Sequence, residues 1–497
     1  MTAPRRRDAI EMRAMASRAE FGRGAPEIHT LASEPSSWEH HLARANRCNI
    51  GRANCLNNGV PMLPHLHLEV PPLSARVSAA MIASTLARLI ASGTAATKAD
   101  LVRTTGLART TVDTGLRALF ELGAIRMQGF RAAVGRGRPA EVIEIEPSFG
   151  ATIVLDFGGH SVRLSIADLG QNVLAHDELP VLLAAGPESV LSSVLARAHE
   201  LVNAAGLAER HRVTVVGVPG PVNAREGSVV RPPIMPGWDG FPIVERVRES
   251  LGGRVLLVND VNLRALGEAR AIDSAGSLIY LKVGTGIGAG IVDADGRLVD
   301  GADGAAGDVG HVRSPGSTTR CGCGADGCLE ATASVTALAT RAASLVGDGA
   351  DAADRFLTLL HERDPQCVEL VVDGAAAIGE VVSMLVHVVN PSRIVIGGSL
   401  DAASDDLLAG IRRVVYGRAL PLATRNLTIA HATLGGEAGM AGGIVLGVES
   451  AFDADRLEEL LERRARALRA AALHRGREFS GIRELPAPQR LGLVASR

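Results

Sequence analysis

The 497-residue chain is poor in aromatic side chains, at 3% with two Trp and two Tyr, and it has only two lysines, Lys98 and Lys282. Its other side-chain cations of that pKa class are arginines, which in a chain this rich in Ala and Gly reads as a compositional habit. A net charge of −2 excludes whole-molecule attraction to nucleic acid, so any such attraction has to be local. Six cysteines show no paired framework, which points to a reducing cytosol and away from a disulfide-stapled secreted fold. No apolar run reaches the roughly 18 residues of a membrane span. The basic start, Arg5-Arg6-Arg7, is not followed by an apolar core with a cleavage site. The expectation is a cytoplasmic protein with no membrane partner, long enough for two or three domains.

Against that background, the stretch GAAGDVGHVRSPGSTTRCGCGADGCLE over 304–330 gathers three of the six cysteines, Cys321, Cys323 and Cys328, with His311 ten residues before the first. Three thiolates and one imidazole make a closed tetrahedral zinc set of the structural kind. Gly322, Gly324 and Gly327 let the loop turn tightly enough to aim the sulfurs at one point. The remaining cysteines, Cys48, Cys55 and Cys367, and the pair His65 and His67 match no common metal template.

Residues 1–75 carry scattered charge, Pro, Asn and Ser with weak periodicity, and are expected to be a largely disordered extension or sequence upstream of the true start, for which Met62 and Met81 are candidates. Residues 76–146 read as a winged helix-turn-helix. Met81, Ile82, Leu86, Leu89 and Ile90 are spaced for a helix ending at Gly93. Thr97 can cap a short helix over 98–105, Gly106 supplies the turn, and a second helix spans about 108–122 with an inner stripe of Val112, Leu116 and Leu119. Its outer face carries Arg109, Thr110, Thr111, Thr114 and Arg117, the residue types that suit a major-groove helix. Two alternating segments, 124–128 and 141–145, predict a hairpin whose tip holds Arg136 and Arg138, placed for phosphates or a minor groove. Ten Lys or Arg face five Asp or Glu between 76 and 145, a local charge of +5.

From Ala151 the chain turns to apolar runs broken by glycine. ATIVLDFGGHSVRLSIADLG is a strand, a turn and a strand, and the same punctuation returns 126 residues later as SLIYLKVGTGIGAGIVDADG, which suggests a duplicated domain with a cleft between halves. A third strand and turn follow in SRIVIGGSL. In RVLLVNDVNLRALGEAR a strand delivers Asn259 and Asp260 to the start of a helix. An aspartate there either caps the helix or accepts a proton from a substrate hydroxyl that attacks a phosphoryl group. Trp238, in PPIMPGWDG, is either a stacking surface or core packing.

GAAGDVGH followed by CGCGADGCLE closely resembles the signature of the ROK family (repressor, open reading frame, kinase), which groups sugar kinases with sugar-responsive transcription factors. The resemblance spans about 76–448 and includes the GRGRP wing. It implies an α/β actin-like, two-lobed sugar-kinase-like fold over 150–448 and an N-terminal winged helix-turn-helix; a charged tail over 449–497, with an Arg/Leu/Glu helix at 452–475, lies beyond the usual domain end. It further implies a sugar or amino-sugar pocket of Asn259, Asp260, Asp308, His311 and Glu330, with His311 serving both zinc and sugar. Nucleotide phosphates, where binding is retained, would lie against Gly158, Gly159, Gly284, Thr285, Gly286, Gly397 and Gly398. Two departures stand out. His160 follows Gly158-Gly159 where the family offers a hydroxyl, and Asp308 replaces a glutamate, shortening the reach by about 1.5 Å. The expected protein is a sugar-responsive transcriptional regulator, a repressor, binding a palindromic operator as a homodimer or higher homo-oligomer. The alternative is an active sugar kinase with a fused head, which would need ATP and Mg²⁺ and use Asp260 as the base.

Overall fold

The structure, a computed structural model, describes residues 61–71, 78–131, 139–207, 210–232, 234–272 and 276–480. Most of the expected N-terminal extension, the hairpin tip with Arg136 and Arg138, and residues 481–497 lie outside the described residues.

Three helices open the described chain. The first, α1 (Ala79–Ala91), starts where Ser78 Oγ accepts from Met81 N at 3.1 Å and caps it. The second, α2 (Lys98–Thr105), is capped by Thr97 and stopped by Gly106 at φ 67°, a conformation a side chain would resist. The third, α3 (Arg109–Leu122), buries Val112, Gly115, Leu116 and Leu119 and ends at Gly123. A Cβ at Gly115 would overlap Ile82 Cγ2 and Leu86 Cδ1, so this glycine sets how closely α3 approaches α1. Strands β1 (Ile125–Arg131) and β2 (Ala140–Ile145) then pair antiparallel, with Ile125 opposite Ile145.

The two larger sheets of the body share one plan. In the first, β3 (Ala151–Phe157), β4 (Ser161–Asp168) and β5 (Val173–Pro180) form an antiparallel meander, and β6 (His211–Val218) and β7 (Arg254–Asn259) add parallel, in the order β5-β4-β3-β6-β7. Every residue of β3 is buried, as a central strand covered on both faces should be. From β7 the chain enters α4 (Asp260–Ala271). The second sheet begins with another antiparallel hairpin, β8 (Leu278–Val283) and β9 (Ile287–Val292), and then adds β10 (Arg393–Gly397) and β11 (Thr428–His431) parallel. The repeated glycine punctuation of the sequence therefore corresponds to a repeated topology.

Between β9 and β10 runs α5 (Pro365–Val389), which is long and apolar enough to cross a membrane by composition. It buries Val371, Ala375, Ile378 and Val382 in the core of the second sheet and carries Asp373 and Glu380, as a core helix does. It packs against α6 (Asp405–Arg418), where a Cβ at Gly410 would meet Ala375 Cβ at 2.5 Å. The closing helix α7 (Ala438–Ala451) lies across α4 at glycines: a Cβ at Gly267 would reach Gly442 N at 2.9 Å. Helix α8 (Ala454–Ser480) follows, and its Leu457 shares a buried cluster with Leu86 of α1.

Two expected boundaries are corrected. Residues 61–71 are not part of a disordered extension. Leu66 and Leu68 are buried, and Leu66 O accepts from Gln171 Nε2 at 3.1 Å. The expected body–tail boundary at 448 falls inside α7, and the start of the charged tail is packed against α1. Trp238 is core packing: it is fully buried, its Nε1 donates to Leu183 O at 3.0 Å, and its ring meets Phe157 edge-on.

Candidate functional site

A cleft of about 420 Å³ is lined by Asn259 and Asp260 from the β7–α4 junction, Lys282, Thr285 and Gly286 from the second hairpin and its turn, Asp308 and His311, Cys323, and Glu330. The structure thus brings together all five residues expected around the sugar. Arg231, Pro219 and Ile234 close another wall.

The question of which residue caps α4 has a clear answer. Asn259 Oδ1 accepts from Val261 N at 2.9 Å and Asn262 N at 3.3 Å, and its Nδ2 donates to Gly220 O at 2.9 Å. Asn259 therefore takes the cap, and the Asp260 carboxylate is left for other work. That carboxylate is almost wholly buried, 2.6 Å from Lys282 Nζ and 4.0 Å from Arg264 Nε. Arg264 NH2 also donates to Asp156 Oδ2 at 3.0 Å. Burial alone would push the Arg264 guanidinium down, but the Asp156 and Asp260 carboxylates outweigh it and hold its pKa above the ordinary value. Glu330, which also lines the cleft, pins the end of the second glycine turn, its Oε2 accepting from Ile287 N at 3.0 Å. Asp308 is half exposed, with Oδ1 3.9 Å from His311 Nε2.

The two glycine turns lie close to each other. A Cβ at Gly159 would lie 3.6 Å from Thr285 Oγ1. Gly284 N donates to Gly286 O at 3.0 Å, closing the second turn. Gly398, at φ 106°, lies against the Val283 backbone, and a Cβ at Gly397 would collide with the Tyr280 ring. His160 is exposed, and its carbonyl accepts from Val181 N at 3.0 Å.

Behind the Asp308 wall, His311, Cys321, Cys323 and Cys328 place four ligand atoms within 4.8 Å of one another. Cys323 Sγ and Cys328 Sγ are 3.7 Å apart, as are Cys321 Sγ and His311 Nδ1. Sulfurs at about 2.3 Å on a tetrahedral centre would be separated by about 3.8 Å, so the residues fit a metal ion. Without a cation, burial pushes the Cys328 thiol up to about 12 and raises that of Cys321, while the Ala325 amide lowers that of Cys323. A divalent ion would favour the thiolate form of all three. The loop's two ends are joined by a bridge between Arg313 and Cys328, and His311 turns its other nitrogen to the cleft side, towards Asp308.

The sequence reading missed Lys282, Arg264, Asp156 and Arg231. Lys282 carried a signal, since it is one of two lysines in the chain and sits two residues before a glycine turn.

In the N-terminal segment Arg109, Thr110, Thr114 and Arg117 are exposed on α3 and Thr111 is half-buried. Lys98 of α2 pairs with Asp113, which takes that acid out of the row of cations.

Two glycine-turn hairpins, two sheets of one topology and a cleft between them define a bilobal sugar-kinase-like fold. The ROK family model matches residues 152–449, and the chain belongs to that family. It is 26% identical over 355 residues to the xylose repressor of Caldicellulosiruptor bescii, covering 68% of this chain and 88% of that one. It is 28% identical over 306 residues to the glucokinase of Halalkalibacterium halodurans, covering 58% of this chain and 92% of the relative. The crystal structure of a ROK family transcriptional regulator, a homolog of the Escherichia coli Mlc protein, shares the fold with a TM-score of 0.64 at 23% identity, over 77% of this chain and 98% of its own. The family thus supplies both regulators and kinases as relatives.

Proposed function

We propose that this protein is a sugar-responsive transcriptional regulator, a repressor, that binds operator DNA through a winged helix-turn-helix over residues 76–146. The observation that carries the reading is the α3 face. Arg109 and Arg117 are exposed there with no ion-pair or hydrogen-bond partner among the described residues, while the opposite face is buried. A helix led by unpaired arginines and hydroxyls, preceded by a capped helix and a glycine turn, suits a major groove. The match to the xylose repressor takes in 68% of this chain and that to the glucokinase 58%.

In this reading a sugar or amino-sugar occupies the cleft, with its hydroxyls on Asp260, Asn259, Asp308, His311 and Glu330. Zinc held by His311, Cys321, Cys323 and Cys328 fixes the wall that carries Asp308; the ion supplies structure, and these residues supply the contacts. Ligand binding alters operator affinity because it favours one placement of the two heads of a homodimer over another, which requires different ligand affinity in the two states. A cytoplasmic location follows from that role.

The second reading, an ATP-dependent sugar kinase, is favoured by the release of Asp260 from capping and by the closed Gly284–Gly286 turn. The Lys282 and Arg264 cations crowding Asp260, and His160 at the first turn, weigh towards sensing. ATP consumption over a panel of hexoses, pentoses and N-acetylated amino sugars, with sugar binding followed by calorimetry, separates the two. Sugar binding without turnover is the expected result. Turnover abolished by Asp260→Asn would establish the kinase reading instead.

A further inference from the structure

Helix α4 starts at the cleft with Asp260 and runs 12 residues, about 18 Å at the usual rise, to Arg270 and Ala271. Its far end is tied to a buried ionic knot. Arg270 NH2 lies 3.1 Å from Glu449 Oε1 on α7, and both side chains are about nine-tenths buried. Glu449 Oε1 also accepts from Glu69 N at 2.6 Å. From α1, Arg88 reaches into the same place, donating from NH1 to Glu69 O and from NH2 to Glu449 O, each at 2.9 Å. The Glu69 carboxylate is held by Arg297 Nε at 2.8 Å, and Arg297 follows β9, the strand that leaves the second glycine turn. The cleft end of α4, the second lobe and the N-terminal helices therefore meet at one cluster.

We propose that Arg270, Glu449 and Arg88 are positioning residues that transmit occupancy of the cleft to the N-terminal head. The inference rests on the sugar-sensor reading and adds the route. Helices α4 and α7 cross at Gly267 and Gly442 too closely to slide, and Glu268 holds the segment before α7 by accepting from Thr433 N and Leu434 N at 3.0 and 2.7 Å. A shift of Asp260 towards a ligand therefore moves both helices as one body. Buried ion pairs have discrete good geometries, because a buried charge that loses its partner is strongly disfavoured. A small displacement at Arg270 then has to be met by Arg88 and so by α1. The burial that raises the Glu449 carboxyl's pKa, against the opposing pull of Arg270, is consistent with a cluster shielded from water. The segment 61–71 serves as the strap: His67 N donates to Arg270 O at 3.0 Å, and Gln171 Nε2 bridges Leu66 O and Ala91 O at 3.1 and 3.0 Å.

The test is amide hydrogen exchange on the full chain with D-xylose and with D-glucose at saturating concentration, reading α1 and the β7–α4 junction separately. In the unaltered protein, sugar slows exchange at the junction and changes it several-fold in α1. Arg88→Met cuts the head end while leaving the Arg270–Glu449 pair in place, and Arg88→Lys restores one donor. Arg88→Met is expected to keep the junction effect and lose the α1 effect, with partial return in Arg88→Lys. Glu449→Gln should behave like Arg88→Met if it folds, and Arg88→Met carries the test if it does not. An α1 response that survives Arg88→Met overturns the route while leaving the sensor reading intact. No sugar effect at the junction in the unaltered protein would overturn both.

Discussion

Gly442→Ala sets two effects of opposite sign against each other. Alanine gains about 1 kcal/mol over glycine in a helix interior. Against this, its Cβ would lie 3.1 Å from Gly267 N and closer still to the Leu263 carbonyl oxygen, where ordinary contact is about 3.5–4 Å. Both neighbours are backbone atoms of α4, so no side chain can rotate away and the two helices have to separate. Overpacking of this kind costs about 1–3 kcal/mol and more when the neighbour is rigid. The clash outweighs the propensity, and the expected net loss is about 1–2 kcal/mol. Gly417→Ala is the internal control: it lies in α6 with nothing within 4 Å of its Cβ, so it should stabilise by about 0.5–1 kcal/mol. Urea unfolding of both variants beside the unaltered chain reads the difference. A Gly442→Ala protein as stable as Gly417→Ala would refute the helix crossing described above.

Three further outcomes follow from the geometry. Cys321→Ser should reduce bound zinc from about one ion per chain to near none, by atomic absorption after dialysis, and should weaken sugar binding while sparing DNA binding. Asp260→Asn should leave operator affinity unchanged and weaken sugar binding by roughly 10- to 100-fold, since hydrogen bonds to a charged group contribute about 1.5–3 kcal/mol; calorimetry reads it. The Asp401 carboxyl is pushed up to about 6 by burial, opposed by His431 at 2.8 Å. Its folded pKa lies above the ordinary 3.8, so its stabilising contribution is complete below that value and is lost as pH rises through about 6. The stability difference between Asp401→Asn and the unaltered protein should therefore shift in the variant's favour between pH 4 and 7, measured by unfolding across that range.

Much of the site was legible because its signals are local. The cysteine spacing, the histidine before it and the Asn259-Asp260 pair each lie within one short segment, where turn and capping chemistry operates over three or four residues. The same locality left the choice between Asn259 and Asp260 as the cap open, and only the bonds to Val261 and Asn262 resolve it. What could not be read comes from partners far apart in sequence. Glu69 and Glu449 are 380 residues apart, so residues 61–71 looked like featureless extension when their polar groups in fact serve a distant helix. Lys282 belongs to an apolar strand by periodicity, and its role beside Asp260 depends on two sheets meeting. The head's helices were placed to within a residue or two because caps and glycines bound them, whereas the strand β1 runs three residues beyond its expected end.

The central claim is that one protein couples a sugar cleft to an operator. An operator duplex recovered by selection from random sequences, titrated with and without the sugar that calorimetry identifies, tests it directly. Sugar is expected to weaken operator binding by about 5- to 150-fold, and operator to weaken sugar binding by the same factor, as linkage requires. Equal operator affinity with and without bound sugar would contradict it.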